Sequence, residues 1–126
     1  MRSTLKVSPG DIVFGLFPTY DRGDQWHPAL VVEVDDRPDG QVFRAVLGSS
    51  RRVSLDGHAA SEFVIMDDDT GFAQTGLHKP TRFNLNGLLF SVRPGMKFKR
   101  IGTITSDLGL VLRLRRAYLH ATGGRE

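Results

Sequence analysis

Residues 8–34 read SPGDIVFGLFPTYDRGDQWHPALVVEV. Two runs in this stretch, Ile12 to Phe17 and Ala29 to Val34, are dominated by β-branched and aromatic residues. Each follows a turn-forming group, Pro9-Gly10-Asp11 before the first and His27-Pro28 before the second. That pattern predicts two short β-strands. Between them, Pro18 to Trp26 is rich in Asp, Gly and aromatic residues and is expected to form a long loop, the kind of segment on which small folds carry their binding residues.

Working outward, Gln41 to Leu47 follows the Arg37-Pro38-Asp39-Gly40 turn and reads as a third strand. Glu62 to Met66, Arg82 to Leu85 and Arg100 to Ile104 continue the series, with a second long connection from Asp67 to Pro80. The Asp67-Asp68-Asp69 run lacks the alternating ligands and glycine of a calcium loop and reads as a solvated turn. Strands this short cannot each bury both faces of a sheet, and they suit a small barrel that removes its own edges.

The period changes near the end of the chain. Thr105 or Ser106 is placed to cap a helix, Asp107 suits its first turn, and Leu108, Val111, Leu112, Tyr118 and Leu119 form the expected apolar stripe. Arg113, Arg115 and Arg116 are expected in the last turns, where cations complement the helix dipole, with residues 121–126 as a disordered tail. The expectation is therefore one mainly β domain over residues 1–126, with a C-terminal helix.

The 126 residues carry a net charge of +3 and no cysteine, which excludes a disulfide framework, a thiolate nucleophile and a Cys-ligated zinc site. His58, His78 and His120 show no metal-ligand spacing, so neither a metal nor a cofactor is expected. No stretch has the length to span a bilayer and the N-terminus lacks an apolar signal core, so the expected location is the cytoplasm, away from membranes. The charge is uneven: residues 1–92 hold 9 Lys+Arg against 12 Asp+Glu, and residues 93–126 hold 8 against 2. A basic end on an acidic body is compatible with a polyanionic partner and equally with a solvated helix face.

Four segments occur in order: Gly10-Asp11-Ile12-Val13, His27-Pro28-Ala29-Leu30-Val31-Val32, Gly48-Ser49-Ser50-Arg51, and Gly76-Leu77-His78-Lys79-Pro80-Thr81-Arg82-Phe83. Together they resemble the MazF/PemK family of bacterial toxins, over roughly residues 8–120. The resemblance implies a small SH3-like barrel of the MazF/CcdB type with a C-terminal α-helix. It also implies a homodimer that cleaves single-stranded RNA without metal and is restrained by an antitoxin protein.

Cleavage of this type has the ribose 2′-hydroxyl attack its own phosphate. The site must remove one proton, donate another to the leaving 5′-oxygen and stabilise the phosphorane. On the resemblance, His27 and Ser49 are the catalytic candidates. His27 stands where the family has arginine, exchanging a permanent charge and its fork of donors for a proton-transfer group, and Ser49 stands for a threonine whose hydroxyl it retains. Trp26, Ser50, Arg51, Arg52 and Arg82 are the substrate-binding candidates. Trp26 is placed to stack on a base or to cap the barrel, and Arg82, with Lys79, lies in a matched segment where a scaffold role competes with contact. Asp21 and Asp24 read as solvated surface.

Two alternatives stand beside the ribonuclease. The lost arginine equally fits a noncatalytic MazF-fold module that binds nucleic acid or a protein, in a phage-derived or mobile element. A small-molecule enzyme has no phosphate loop or cofactor fingerprint behind it.

Overall fold

The computed structural model describes residues 6–19, 23–54, 59–87 and 89–123. The elements are β1 (Asp11–Thr19), β2 (Gly23–Arg37), β3 (Gly40–Ser49), β4 (Glu62–Ile65), α1 (Phe72–Thr75), β5 (Thr81–Asn84), β6 (Leu89–Val92), β7 (Phe98–Thr103) and α2 (Leu108–Ala121). The strands pair antiparallel in the order β4-β5-β3-β2-β1-β7, with β6 also on β3. The sheet curls into a half barrel, and the fold is mainly β with a C-terminal helix.

The apolar run of β2 shows why it sits at the centre. Ala29 and Val31 enter one buried cluster with Val13, Phe17, Phe43 and Ala45, while Leu30 enters a second with Ile12, Val46, Phe63, Phe83 and Leu110. Successive side chains point to opposite faces of a strand, so a run apolar at every position has both faces covered. The strands are longer than their apolar runs, and the middles of β2 and β3 are buried on both sides. Register shifts at Ile12/Val13 against β7 and at Val31/Glu33 against β3 add the local twist that curls the sheet.

The Pro9-Gly10-Asp11 turn is held by its own acid. Asp11 accepts the Ser8 N–H at 2.8 Å and pairs with Arg100 Nε at 3.1 Å, tying the start of β1 to β7.

Several expectations are corrected. Most of the Pro18–Trp26 loop is strand: Phe17 pairs with Gln25, Pro18 with Asp24 and Thr19 with Gly23, and residues 20–22 lie outside the described residues. The ladder there is made by backbone, so polar side chains do not prevent it. The strand β6 and the single turn α1 have four residues each, too few to show a period in sequence.

The C-terminal helix forms as expected but in a different phase. Its N-cap is Asp107, whose Oδ1 accepts the Leu110 N–H at 3.0 Å, while the Thr105 hydroxyl bonds that of Thr103. Leu110 and Ala117 are buried, with Val111 and Leu114 packed beside them. Leu108 and Leu112, placed on the inward stripe by sequence, are 71% and 52% exposed, and Tyr118 is exposed too.

Arg113 lies mid-helix and points into the protein. It donates to both Asp69 carboxylate oxygens, at 2.7 and 2.9 Å, and to the Val64 carbonyl at 2.9 Å. Asp69 also accepts the Met66 N–H at 2.7 Å, so only Asp67 and Asp68 are the solvated acids expected of that run. The helix includes Ala121, one residue into the segment read as a tail, and Thr122 closes it; residues 124–126 lie outside the described residues. Among the described residues no helix is long and apolar enough to cross a membrane.

Candidate functional site

A cleft of about 420 Å³ opens where the β1–β2 hairpin, the end of β3 and the segment after α1 meet. The hairpin contributes Phe14, Trp26, His27 and Pro28; β3 and the turn after it contribute Gly48, Ser49, Ser50 and Arg51. The opposite wall is Gly76, Leu77, His78, Lys79 and Thr81, with Ile101 of β7 at the base. The volume lies in the range of about 300–1,000 Å³ typical of small-ligand sites.

Two sequence segments far apart in the chain meet here because β3 pairs with β5, Gly48 opposite Phe83 and Ser49 opposite Arg82. A side chain at Gly48 would strike Thr81 Cγ2 at 2.6 Å, so glycine is what lets the strands approach. On the other wall, Thr75 is fully buried; its hydroxyl donates to the Phe72 carbonyl at 2.6 Å and accepts the Leu77 N–H at 3.1 Å. Gly76 follows with φ +74°, and a Cβ there would meet the Ile101 carbonyl oxygen. These constraints end α1 and deliver His78 and Lys79 to the cleft.

Trp26 and Phe14 share one face of the hairpin and stack, ring centroids 5.5 Å apart and planes 23° off parallel. Trp26 remains 48% exposed, unusual for the largest apolar side chain in the protein. His27 pairs with Gly15 of β1 and lies in the alternate strand phase, with Ala29 and Val31, so it joins the cleft at its rim. It is half-buried.

Ser49 Oγ accepts the Arg51 N–H at 3.2 Å, which leaves its own hydrogen free to donate. The structure places Arg82 behind this turn: Nε donates to the Arg51 carbonyl at 2.8 Å and Nη1 to Glu62 Oε2 at 2.6 Å. Its guanidinium is committed to the scaffold. Arg52, at φ +53°, is exposed in the same turn and does not line the cleft.

Of the sequence candidates, Trp26, His27, Ser49, Ser50 and Arg51 come together, while Arg52 and Arg82 stand outside the lining. Asp24 is exposed in the hairpin opposite Pro18, His120 is in the last turn of α2, and Asp21 and His58 fall outside the described residues. His78 joins the lining without having been a site candidate, and Lys79, for which a scaffold role competed with contact, joins it too; the signal available was their position in the segment from Gly76 to Phe83. Among the described residues no three His, Asp or Glu side chains converge as metal ligands.

Among the described residues, every ionisable group lining the cleft is basic: His27, Arg51, His78 and Lys79. The neighbouring acids are turned to other work. Asp11 is paired with Arg100, Glu62 with Arg82 and Asp69 with Arg113, each away from the lining. An acidic body therefore presents a cationic cleft, which the net charge of its segment conceals. Opposed donors over an apolar, partly aromatic floor suit an anion attached to a flat ring. No known protein-family model matches the chain, and no curated protein matches it.

Proposed function

We propose that the cleft binds single-stranded RNA and cleaves it by attack of a ribose 2′-hydroxyl on the adjacent phosphate, as a metal-independent endoribonuclease of the MazF/PemK kind. The observation that carries the reading is the lining: among the described residues it holds two imidazoles, two permanent cations and a serine hydroxyl that donates to no partner, with no carboxylate. His78 takes the 2′-hydroxyl proton as the oxygen bonds to phosphorus. His27 gives a proton to the 5′-oxygen as the phosphorus–oxygen bond breaks, leaving a 2′,3′-cyclic phosphate and a 5′-hydroxyl. Arg51, Lys79 and the Ser49 hydroxyl stabilise the phosphorane charge, and Trp26 stacks on a base.

The same reading takes the protein to be a homodimer and the target of an antitoxin, both resting on the sequence resemblance, and keeps the cytoplasmic location expected from the sequence. Size-exclusion chromatography with light scattering tests the dimer. For the activity, regulated expression of the wild type is compared with His27→Ala and His78→Ala, scoring growth and RNA integrity together. Degraded RNA and arrested growth with the wild type, and neither with the variants, are the expected outcomes.

One observation favours a second reading, a noncatalytic nucleic-acid-binding module. His27 stands in place of arginine and in the strand phase opposite Trp26. On that reading RNA binds the same cleft and stays intact.

A further inference from the structure

The stacked pair of Phe14 and Trp26 is a ridge with a hollow on each side. Beyond it from the cleft lies a second groove of about 520 Å³, lined by Phe14, Trp26, Met96, Lys97, Phe98 and Lys99. Among the described residues its charged lining is two lysines and no acid, and neither lysine forms an ion pair. Register explains the arrangement: Lys99 is directly opposite Phe14 in the β1–β7 ladder, so the two share a sheet face with Trp26. Lys97 lies two residues earlier, immediately before β7, and lines the same groove. The Leu16 N–H donates to the Lys97 carbonyl at 3.2 Å, which fixes the backbone from which that side chain projects.

We propose that this groove is a second nucleotide subsite, into which a single-stranded RNA chain bound in the cleft continues across the Trp26 ridge. Lys97 and Lys99 take its phosphates, and the exposed Trp26 ring and Met96 take its base. The inference rests on the RNA reading of the cleft. What favours RNA as occupant is the combination of unpaired cations with an exposed aromatic platform, the pairing that sequence-tolerant single-strand binding uses.

The test measures binding of random-sequence 2′-O-methyl RNA, which lacks the attacking hydroxyl and stays intact, at lengths of two and eight nucleotides. The variants are Lys97→Ala/Lys99→Ala and, as a control with the same charge change on α2, Arg115→Ala/Arg116→Ala. The β7 double variant is expected to weaken octamer binding about tenfold and to leave the dinucleotide unaffected. Its salt dependence should flatten by about 1.4 in the slope of log K against log salt, the value for two lost phosphate contacts on a single strand. Octamer binding equal in the wild type and the β7 variant overturns the subsite while leaving the cleft reading intact. Absence of octamer binding by the wild type at low salt removes the RNA reading and the subsite with it.

Discussion

Arg82 Nε donates to the carbonyl oxygen of Arg51 at 2.8 Å, and through that bond one arginine fixes the turn that presents the other. Arg82 is itself held by Glu62 at 2.6 Å, with 29% and 12% of the two side chains exposed, so the pair is sheltered enough to count energetically. Arg82→Ala is expected to cost about 1–3 kcal/mol, the range for charge-assisted hydrogen bonds. Arg51→Ala, which removes an exposed side chain, should stay within about 0.5 kcal/mol. Urea unfolding of the two variants checks this, and equal loss in both would refute the division of labour.

Gly76→Ala is expected to destabilise by at least about 2 kcal/mol. The left-handed backbone disfavours any Cβ, and the Ile101 carbonyl blocks the space it would occupy. Because this glycine aims His78, the substitution should also impair whatever the cleft binds. Thermal unfolding read beside ligand binding gives both numbers.

The Asp69–Arg113 tie gives stability a defined pH dependence. Hydrogen bonding from Arg113 holds the Asp69 carboxyl below its usual value of 3.8, against the opposing effect of burial. A carboxylate whose folded value is depressed stabilises fully above its unfolded value, and that contribution is lost as pH falls through the lower, folded value. The urea midpoint of the wild type should therefore decline as pH drops below about 4. Asp69→Asn should be less stable at neutral pH and show a shallower decline. Identical acid profiles for the two proteins would show that the tie contributes nothing there.

The phase of α2 is tested by two leucines. Leu110 is 1% exposed and Leu112 is 52% exposed, although both fit an apolar helix pattern. Leu110→Ala should cost about 2–5 kcal/mol, and Leu112→Ala no more than about 0.5 kcal/mol. Denaturant titration decides it, and the reverse order would put the sequence-derived stripe back inside.

The strands were legible where side chains carry the signal. Ala29 to Val34 and Gln41 to Leu47 are apolar and β-branched because they cross the buried middle of the sheet. Gly23 to Trp26 was not, since its pairing with β1 runs through backbone groups indifferent to side-chain polarity. Of the stripe expected in the helix, Leu108, Val111, Leu112, Tyr118 and Leu119, only Val111 packs against the core, beside Leu110, Leu114 and Ala117, while Leu108, Leu112 and Tyr118 are exposed. The observed phase goes with the docking of Arg113 on Asp69 and Val64, contacts that join residues 44 and 49 positions apart.

In the site, Trp26, His27, Ser49, Ser50 and Arg51 were readable because they lie in or beside the segments that carry the resemblance. His78 was not: it lies in the same segment as Arg82, but its place on the cleft wall depends on the left-handed turn at Gly76. Arg82 looked like a substrate contact: its segment marks it out, and only the pairing of β5 with β3 and β4 shows its charge engaged with Glu62.

The most direct measurement is incubation of purified protein with single-stranded RNA in excess EDTA, with chemical analysis of the product ends, for wild type, His27→Ala and His78→Ala. Fragments ending in 2′,3′-cyclic phosphate from the wild type, reduced at least about 100-fold in each variant, are the expected result. RNA left intact by a folded wild-type protein, or cleaved equally by all three, would contradict the assignment of the cleft as a ribonuclease site.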